Sequence, residues 1–372
     1  MLKVLQTGDV HLGMTHRSRN YPEPVRQQLM DARFDTLTRL VDLANEEKCH
    51  IFLITGDLFH RTLVSEAIIK KTVDILHKFQ GNCVAVLPGN HDFDDGIGKL
   101  WTTFRDYAKE EIILLTETQP YHLDEYGLDA VLYPGPCHRQ HSGENRLGWI
   151  KELTQRPKAT WHLGVAHGAL SGVSPDFDQQ YFPMSEDELR RLAMDHWFLG
   201  HTHIRYPDLD EVQNTIFTYN GTPEPDGFDC SHGGYAWIVE LSPDGSKRCR
   251  SLPAGTFRFR DLAWEIRSEE DLLRHANELI THGEKTLVKL RLKGSLPREA
   301  YTNRGRVMQK LSENLFYLEW DGQDLIMEIT AKDIGEEFSD GSLPHLLLSR
   351  LEEQGKNEAL QLAYQLIKEV RQ

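Results

Sequence analysis

Cysteine, positive charge and long apolar runs are all scarce in this sequence of 372 residues. Its five cysteines are scattered and contain no Cys-x-x-Cys pair. We therefore expect neither a disulfide framework nor a cysteine metal site, and we expect a reducing, cytoplasmic location. No apolar run is long enough to cross a bilayer, so no membrane span is predicted. The opening residues, MLKVLQTGDV, are typical of a short strand and not of a signal peptide.

Positive charge is in deficit, because 57 acidic residues face 42 basic ones and the formal net charge is -15. A chain of this sign repels polyanions as a bulk effect. Any nucleic-acid site must therefore be local and helped by metal ions or by a basic partner. The length allows two domains, or one large domain with an appendage. Histidine, in contrast, is abundant at 18 residues, and several of these lie in motifs.

Short apolar strands alternate with amphipathic helices over the first part of the chain. The spacing of apolar residues predicts helices over 24–47 and 65–80. Strands are predicted over 2–7, 51–55, 83–87, 160–167 and 195–201. This alternation is typical of a layered α/β fold, in which ligands collect where strands end.

Possible metal ligands follow five of these strands. The first strand runs into Gly8-Asp9-x-His11, which taken alone is equally typical of a polar turn. The other four strands are followed by Asp57, by Asn90 with His91 and Asp92, by His167, and by His201 with His203. Carboxylate, amide and imidazole groups suit Mn, Fe or Zn. Five such strand ends in one chain favour a metal site over five unrelated turns.

The motif series D-x-H, GD, GNHD, a lone His and GHxH resembles the calcineurin-like metallophosphoesterase superfamily over roughly residues 1–240. That superfamily includes protein phosphatases, cyclic-nucleotide phosphodiesterases and DNA repair nucleases. Phosphatases continue the second motif as GDxxDR, whereas this chain reads GDLFHR and has His60 in place of the second Asp. DVHLG and GDLFH are similar to the SbcD (meiotic-recombination-eleven type) DNA repair nucleases. In YNGTPEPDGFD, Asn220 and Thr222 depart from that family's usual Y-P-G-S, which resembles a YhaO-like branch.

The resemblance implies a fold and a division into domains. The fold is a four-layer α/β sandwich of two mixed β-sheets flanked by helices, with a small α+β capping domain. We predict a nuclease domain over 1–254, a capping domain over 255–335, where strands and helices alternate again, and a C-terminal helical segment over 336–372. Two helices are predicted within that segment, over 343–353 and 357–371.

The resemblance also implies two divalent metal ions, with Asp57 as the carboxylate that bridges them. One ion would be held by Asp9, His11, Asp57 and His203. The other would be held by Asp57, Asn90, His167 and His201. Oxygen-rich ligation with imidazole suits Mn²⁺ best, and Fe and Zn stay open.

Three further roles near the metals come from the same resemblance. His91 is expected to be the acid that protonates the leaving 3′ oxygen, or to steady the phosphate. His60 is expected beside His91, in place of the Asp that orients this acid in phosphatases. Asp92 is expected to accept a hydrogen bond that fixes the orientation of a ligand.

Basic and apolar surfaces leave alternatives open. Arg17 and Arg19, in the loop over 15–26, either contact DNA phosphates or belong to a solvated loop. Arg61 either meets phosphate or forms a salt bridge. Ile68, Ile69 and the aromatic residues of 101–108 either belong to the core or form the helical bundle of a homodimer, as the resemblance implies.

The last two predicted helices carry apolar faces at helical spacing. These faces contain Leu346, Leu347, Leu351, Leu362, Leu366 and Ile367. They either pack on the cap or dock a partner, which in this family is an SMC-like ATPase subunit of the SbcC kind.

The function predicted from all these features is a Mn²⁺-dependent DNA nuclease. It would hydrolyse phosphodiester bonds as an exonuclease or endonuclease by a two-metal mechanism, in double-strand break repair or DNA end processing. One alternative is a small-molecule phosphodiesterase or phosphatase, which the acidic charge favours. Another is a non-catalytic DNA-end scaffold, which would not need the intact set of ligands.

Overall fold

The computed structural model describes residues 1–281 and 283–371, which form two compact units, Met1–Arg258 and Phe259–Gln372. The sequence predicts three parts, with boundaries after residues 254 and 335. The structure has one boundary, after Arg258, and the C-terminal segment belongs to the second unit.

The first unit contains strands and helices in alternation. Its strands are β1 (Leu2–Thr7), β2 (Ile51–Ile54), β3 (Cys83–Val86), β4 (Ile112–Leu114), β5 (Tyr121–His122), β6 (Ala130–Gly135), β7 (Trp161–His167), β8 (His196–Gly200), β9 (Arg205–Tyr206), β10 (Glu211–Gln213), β11 (Phe217–Asn220), β12 (Tyr235–Leu241) and β13 (Lys247–Pro253). Its helices are α1 (Glu23–Glu46), α2 (Glu66–Leu76), α3 (Leu100–Tyr107), α4 (Gly148–Glu152) and α5 (Glu186–Leu192), with a 3₁₀ turn at Asp124–Tyr126.

The strands form two mixed sheets. The first has the order β10-β13-β12-β1-β2-β3-β4, in which β1 to β4 are parallel and β12 pairs antiparallel with β1, Val4 lying opposite Val239. The second has the order β5-β6-β7-β8-β11-β9, in which β6, β7, β8 and β11 are parallel. The fold is thus the predicted α/β arrangement of mixed sheets flanked by helices.

Three apolar cores hold these layers together. One lies between α1–α3 and the first sheet, one between the two sheets, and one between the second sheet and α4–α5. In β2, Phe52 and Ile54 enter the first core while Ile51 and Leu53 enter the second, because successive side chains point to opposite faces. A strand covered on both faces must be apolar throughout, which explains the continuous run IFLI.

Helices α2 and α3 place their apolar residues inside the first unit. Ile69, Trp101 and Phe104 are buried in the core beneath the first sheet, with Trp101 only 2% exposed. These three side chains belong to the core, whereas Ile68 is only partly buried, and the homodimer stays a prediction. The sequence could not distinguish a helix packed in the core from a helix in a dimer interface, since both place apolar residues on one face of the helix.

The second unit is built on the sheet β14 (Arg258–Ile266), β15 (Thr286–Pro297) and β16 (Tyr317–Glu328), in that order. Its helices are α6 (Glu269–Ile280), α7 (Arg298–Asn314), α8 (Ala331–Glu337), α9 (Leu343–Glu353) and α10 (Asn357–Arg371). The sheet and α6–α7 share one core. Among the described residues, no helix is both long and apolar enough to cross a membrane.

A separate small core joins α8, α9 and α10. Its buried members include Phe338, Leu348 and Leu360, and Leu351 and Ile367 pack against it. Leu351 and Ile367 therefore belong to the fold and not to a docking face. The other four leucines of the predicted faces are exposed: Leu346, Leu347, Leu362 and Leu366.

Candidate metal centre

The predicted ligands lie at the carboxyl ends of parallel strands in both sheets. Asp9 and His11 follow β1, Asp57 follows β2 and Asn90 follows β3 in the first sheet. His167 is the last residue of β7, and His201 and His203 follow β8, in the second sheet. The structure brings all seven side chains into one cluster.

Four of these residues adopt a left-handed backbone that side chains other than glycine seldom take. The φ angles are 50° at Asp9, 52° at His11, 52° at Asp57 and 104° at His201. Each such residue costs about 1–3 kcal/mol. Backbone hydrogen bonds from Asp9 N to Gly56 O (3.0 Å) and from His11 N to Asp57 O (3.0 Å) hold the first two loops together. The fold therefore stores local strain where the candidate ligands converge.

Two glycines of the motifs allow the loops to approach each other. A Cβ on Gly56, whose φ is +104°, would collide with the ring of His167. A Cβ on Gly89 would collide with the carboxylate of Asp57. Any side chain at either position would push two candidate ligands apart.

One group of possible ligand atoms surrounds His203. Its Nε2 lies 3.1 Å from Nε2 of His11 and 3.9 Å from Oδ1 of Asp9. Two ring nitrogens at such a distance, next to a carboxylate, are the donors that a divalent cation binds.

A second group surrounds Asn90, and Asp57 lies between the two groups. Oδ1 of Asn90 is 3.0 Å from Nε2 of His167 and 3.0 Å from Nδ1 of His201. Oδ2 of Asp57 is 3.4 Å from Nε2 of His167 and 3.9 Å from Nε2 of His11. This carboxylate oxygen thus touches both groups, which is the position expected of a bridging ligand.

The electrostatics of the cluster fit a cation. Burial raises the pKa of Asp9, while His167 and His11 hold the pKa of Asp57 well below its usual value against the effect of burial. Burial by itself lowers the pKa of His167, but the carboxylates of Asp57 and Asp9 outweigh it and raise that pKa to about 9. A divalent ion would balance these carboxylates with neutral imidazole, the form in which histidine binds metals.

Two candidate ligands are oriented through their second ring nitrogen. Nδ1 of His167 donates to the carbonyl of Thr55 at 2.8 Å. Nδ1 of His203 pairs with Oδ2 of Asp226 at 3.1 Å, and this carboxylate outweighs burial to raise the pKa of His203 to about 9. Such contacts fix the ring of a metal-binding histidine. Sequence reasoning missed Asp226, because nothing in YNGTPEPDGFD distinguishes it from Asp229.

Asn220, which stands where the SbcD pattern has proline, also reaches the cluster. Its Nδ2 donates to Oδ2 of Asp9 at 3.4 Å, and its Oδ1 accepts from Oγ1 of Thr55 at 2.7 Å. The backbone N–H of His201 donates to both oxygens of Asp9, at 3.2 and 3.1 Å. The carboxylate of Asp9 is therefore held by two residues, Asn220 and His201.

His91 lies at the edge of the cluster, next to His11. Its ring centroid is 4.8 Å from that of His11, and its backbone N–H donates to Oδ1 of Asp57 at 2.8 Å. Nδ1 of His91 donates to the carbonyl oxygen of His60 at 3.2 Å, while the two rings stack with centroids 5.5 Å apart. His60 thus lies beside His91, where the sequence leads us to expect it. It contacts His91 through its backbone carbonyl and through the face of its ring. Its imidazole does not take over the hydrogen bond of a carboxylate.

Asp92 differs from the expectation in what it contacts. Its Oδ1 accepts from the backbone N–H of Gly89 at 2.7 Å, and its Oδ2 accepts from that of Phe59 at 2.9 Å. Burial and the charge of Asp57 raise its pKa to about 8. Asp92 therefore ties two loop backbones together, and it does not fix the side chain of a ligand.

The three arginines predicted to meet DNA have different surroundings. Arg17 and Arg61 are exposed. The guanidinium of Arg19 lies 5.4 Å from the ring of Phe228 and 4.0 Å from a carboxylate oxygen of Asp229. Arg19 is thus partly engaged within the chain, whereas the other two face solvent.

Comparison with known proteins agrees with this geometry. The sequence model of the calcineurin-like phosphoesterase family matches residues 2–205. The uncharacterized metallophosphoesterase YhaO of Bacillus subtilis is 27% identical over 308 residues, which are 79% of this chain and 69% of that protein. The DNA double-strand break repair protein Mre11 of Archaeoglobus fulgidus is 25% identical over 60% of this chain and 50% of that protein.

A second protein of the same name is also similar. The Mre11 protein of Saccharolobus solfataricus is 23% identical over 66% of this chain and 61% of its own length. The chain thus spans between half and two thirds of the length of the two Mre11 proteins.

Proposed function

This chain belongs to the calcineurin-like phosphoesterase family, whose members are metal-dependent hydrolases of phosphoester bonds, and from that premise we propose that it is a Mn²⁺-dependent DNA nuclease of the SbcD kind. The observation that carries the proposal is the convergence of seven donors from five strand ends, with His91 held beside them. Cleavage would serve DNA end processing or double-strand break repair.

The candidate ligands fall into two sets, one for each ion. Asp9, His11 and His203 would hold one ion and Asn90, His167 and His201 the other, with Asp57 shared. When bound, two divalent ions a few ångström apart neutralise a phosphodiester and supply a nucleophile near neutral pH. The hydrogen bonds of Thr55 and Asp226 keep His167 and His203 in place while substrate enters.

His91 is suited to the proton transfer. The carbonyl of His60 accepts the proton of Nδ1, so Nε2 is the nitrogen left to act on substrate. His91 is only partly buried, so substrate can reach it from solvent. We assign it the donation of a proton to the leaving 3′ oxygen, a role worth about 10²–10⁴-fold in rate.

Two observations support DNA as the substrate. His60 stands where phosphatases have the second Asp of GDxxDR, and the printed names of two similar archaeal proteins describe DNA double-strand break repair. The net charge of -15 instead favours the rival proposal, a phosphodiesterase for small molecules.

A basic partner would offset that charge. We propose an SMC-like ATPase subunit of the SbcC kind, docked on the exposed leucines of α9 and α10: Leu346, Leu347, Leu362 and Leu366. Changing Leu362 and Leu366 together to Glu should abolish co-purification with the co-expressed ATPase, while Glu336→Gln on α8 should not. A homodimer is part of the same proposal, through surfaces other than the buried side chains of α2 and α3.

The test of function compares two substrates. Purified protein with Mn²⁺ is incubated with end-labelled single- and double-stranded DNA and, separately, with a nitrophenyl phosphodiester. We expect the wild-type protein to cleave DNA. EDTA and the substitution Asp57→Asn should each abolish this cleavage, and Asp229→Asn should leave it unchanged. Hydrolysis of the nitrophenyl ester with no cleavage of DNA would overturn the proposal in favour of the rival.

A further inference from the structure

A basic pocket of about 730 Å³ lies in the first unit, outside the ligand cluster. Four of its lining side chains are His138, Arg139, His141 and Arg146, and Glu144 is the only carboxylate in the lining. The volume is in the range of ligand sites in proteins. A concentration of arginine and histidine is unexpected in a chain of net charge -15.

Two aromatic contacts connect this pocket to the metal centre. The ring centroid of His141 is 5.1 Å from that of Tyr181, and the ring of Tyr181 is 4.9 Å from that of His201. One aromatic ring therefore separates a lining residue of the pocket from a candidate metal ligand. A substrate bound at the metals has the pocket as its neighbour on this side.

The backbone makes the same connection. Cys137, directly before His138, places its Sγ 3.5 Å from the carbonyl of His167, and its N–H donates to the carbonyl of Pro88 at 3.1 Å. His167 is itself a candidate ligand, and Pro88 lies two residues before the candidate ligand Asn90. The segment that supplies the pocket is thus anchored to two of the loops that carry the metal centre.

The pocket wall is an ordered loop. Ser142 N–H donates to Gln180 O at 2.7 Å, and Phe182 N–H donates to Ser142 O at 2.9 Å. Nδ2 of Asn145 donates to Pro183 O at 2.8 Å. The cationic side chains are therefore mounted on a backbone that is already fixed, which lowers the entropy lost when a ligand binds.

The charges in the pocket are available to a ligand. Within residues 1–281 and 283–371, neither Arg139 nor Arg146 has a carboxylate oxygen within 4.0 Å. Arg139 instead donates through Nε to Nε2 of His138 at 2.6 Å, a contact that leaves the rest of its guanidinium uncommitted. Burial, followed by the positive charges of Arg146 and Arg139, lowers the pKa of His138, so both guanidinium groups act on the same small volume.

We propose that this pocket binds a phosphate of the DNA strand next to the one that is cleaved. A planar guanidinium matches the oxygens of a phosphate in pairs, which makes arginine suited to this contact. The inference rests on the proposed nuclease function and deepens it, because it requires a substrate with at least two phosphates. Arg139 and Arg146 are then specificity-determining residues that touch the substrate away from the reacting bond.

The test uses two substrates that differ in their number of phosphates: the nitrophenyl ester of thymidylate, which has a single phosphodiester, and tetrathymidylate. Arg139→Gln and Arg146→Gln should each raise KM for tetrathymidylate about tenfold, which corresponds to about 1.4 kcal/mol, near the lower end of what a hydrogen bond to a charged group contributes. Both variants should leave kcat and KM for the single ester within about twofold of wild type. The matched control is Arg105→Gln, an exposed arginine of α3 outside the pocket, which should change neither substrate.

Binding without turnover provides a second readout. Fluorescence anisotropy with fluorescein-labelled tetrathymidylate, with Ca²⁺ in place of Mn²⁺ so that the metal sites stay filled, should show the same tenfold weakening in both pocket variants and none in Arg105→Gln. If wild type cleaves tetrathymidylate and the pocket variants keep its KM and affinity, the pocket assignment is wrong and the nuclease function stands. If wild type hydrolyses the single ester but not tetrathymidylate, the nuclease proposal fails and the pocket assignment fails with it.

Discussion

Nδ1 of His203 donates a hydrogen bond to Oδ2 of Asp226 at 3.1 Å. The contact leaves Nε2 of His203 directed at His11 and Asp9. It also joins the GHxH motif to the loop after β11, 23 residues further along the chain. A residue outside the recognised motifs thus fixes one of the candidate ligands.

Asp226→Asn should weaken metal binding, because the amide keeps the shape of the side chain and loses the charge that holds His203. The expected loss is about 10–100-fold in the affinity for one of two Mn²⁺ ions. Isothermal titration calorimetry measures it directly. Asp229→Asn is the matched control, since Asp229 is 88% exposed and three residues away. Equal affinity of the Asp226 variant and wild type would show that the contact does not support the metal.

His91→Gln should retain both metals but lose about 10²–10⁴-fold in turnover, since it removes the group that protonates the leaving oxygen. His60→Ala should lose far less, because the acceptor for Nδ1 of His91 is the backbone carbonyl of His60, which the variant keeps. Single-turnover rates on end-labelled DNA compare the two. A loss in His60→Ala as large as that in His91→Gln would mean that the imidazole of His60 takes part in the chemistry.

The sequence predicted the elements that position the site. The helix expected over 24–47 is α1 (Glu23–Glu46), and each predicted strand that precedes a ligand is present. This success has a physical cause: parallel strands buried on both faces are continuous apolar runs, and their carboxyl ends meet at one edge of a sheet. Motif residues that follow such runs are therefore brought together by the topology.

Side-chain contacts across loops were harder to predict. Nothing in the sequence indicates that His60 acts through its carbonyl, that Asp92 binds backbone N–H groups, or that Asp226 reaches His203. The left-handed backbone at Asp9, His11 and Asp57 was equally invisible, because those residue types carry no requirement for it. The apolar faces of α9 and α10 did not reveal which leucines are buried. In α9, for example, Leu348 is buried while its neighbour Leu347 is exposed.

Leu348→Ala should lower the free energy of unfolding of the second unit by about 2–5 kcal/mol, since Leu348 is fully buried in the core of α8–α10 and its removal leaves a cavity. Leu346→Ala, two residues away and 58% exposed, is the matched control and should change little. Urea unfolding of the full chain gives both values. Similar effects of the two substitutions would mean that α9 does not pack as described.

Glu337 should stabilise α10 in a pH-dependent manner. Burial raises the pKa of Glu337, but the hydrogen bonds from Lys368 and Tyr364 outweigh it, and Arg298 adds to them, so the pKa is lowered. A lowered pKa in the folded state gives stability that is present above the ordinary glutamate pKa and is lost as the pH falls through the folded value. Glu337→Gln should therefore reduce the melting temperature at pH 7, and this effect should diminish as the pH falls below the ordinary glutamate pKa of about 4.3.

Glu336→Gln is the control for that experiment, because Glu336 is an exposed neighbour paired only with Lys332 at 3.7 Å among the described residues. It should leave the melting temperature nearly unchanged at both pH values. A difference between Glu337→Gln and wild type that grows on acidification would contradict the assigned direction of the pKa.

In the proposed metal centre one carboxylate, Asp57, would be shared by two metal sites built from five strand ends. Elemental analysis of purified wild type, His203→Ala and Asp57→Ala after loading with Mn²⁺ and desalting tests it directly. We expect about two ions per chain in wild type, about one in His203→Ala and nearly none in Asp57→Ala, because Oδ2 of Asp57 lies within 4 Å of a donor in each group, Nε2 of His11 and Nε2 of His167. Two ions per chain retained in a correctly folded Asp57→Ala variant would contradict it.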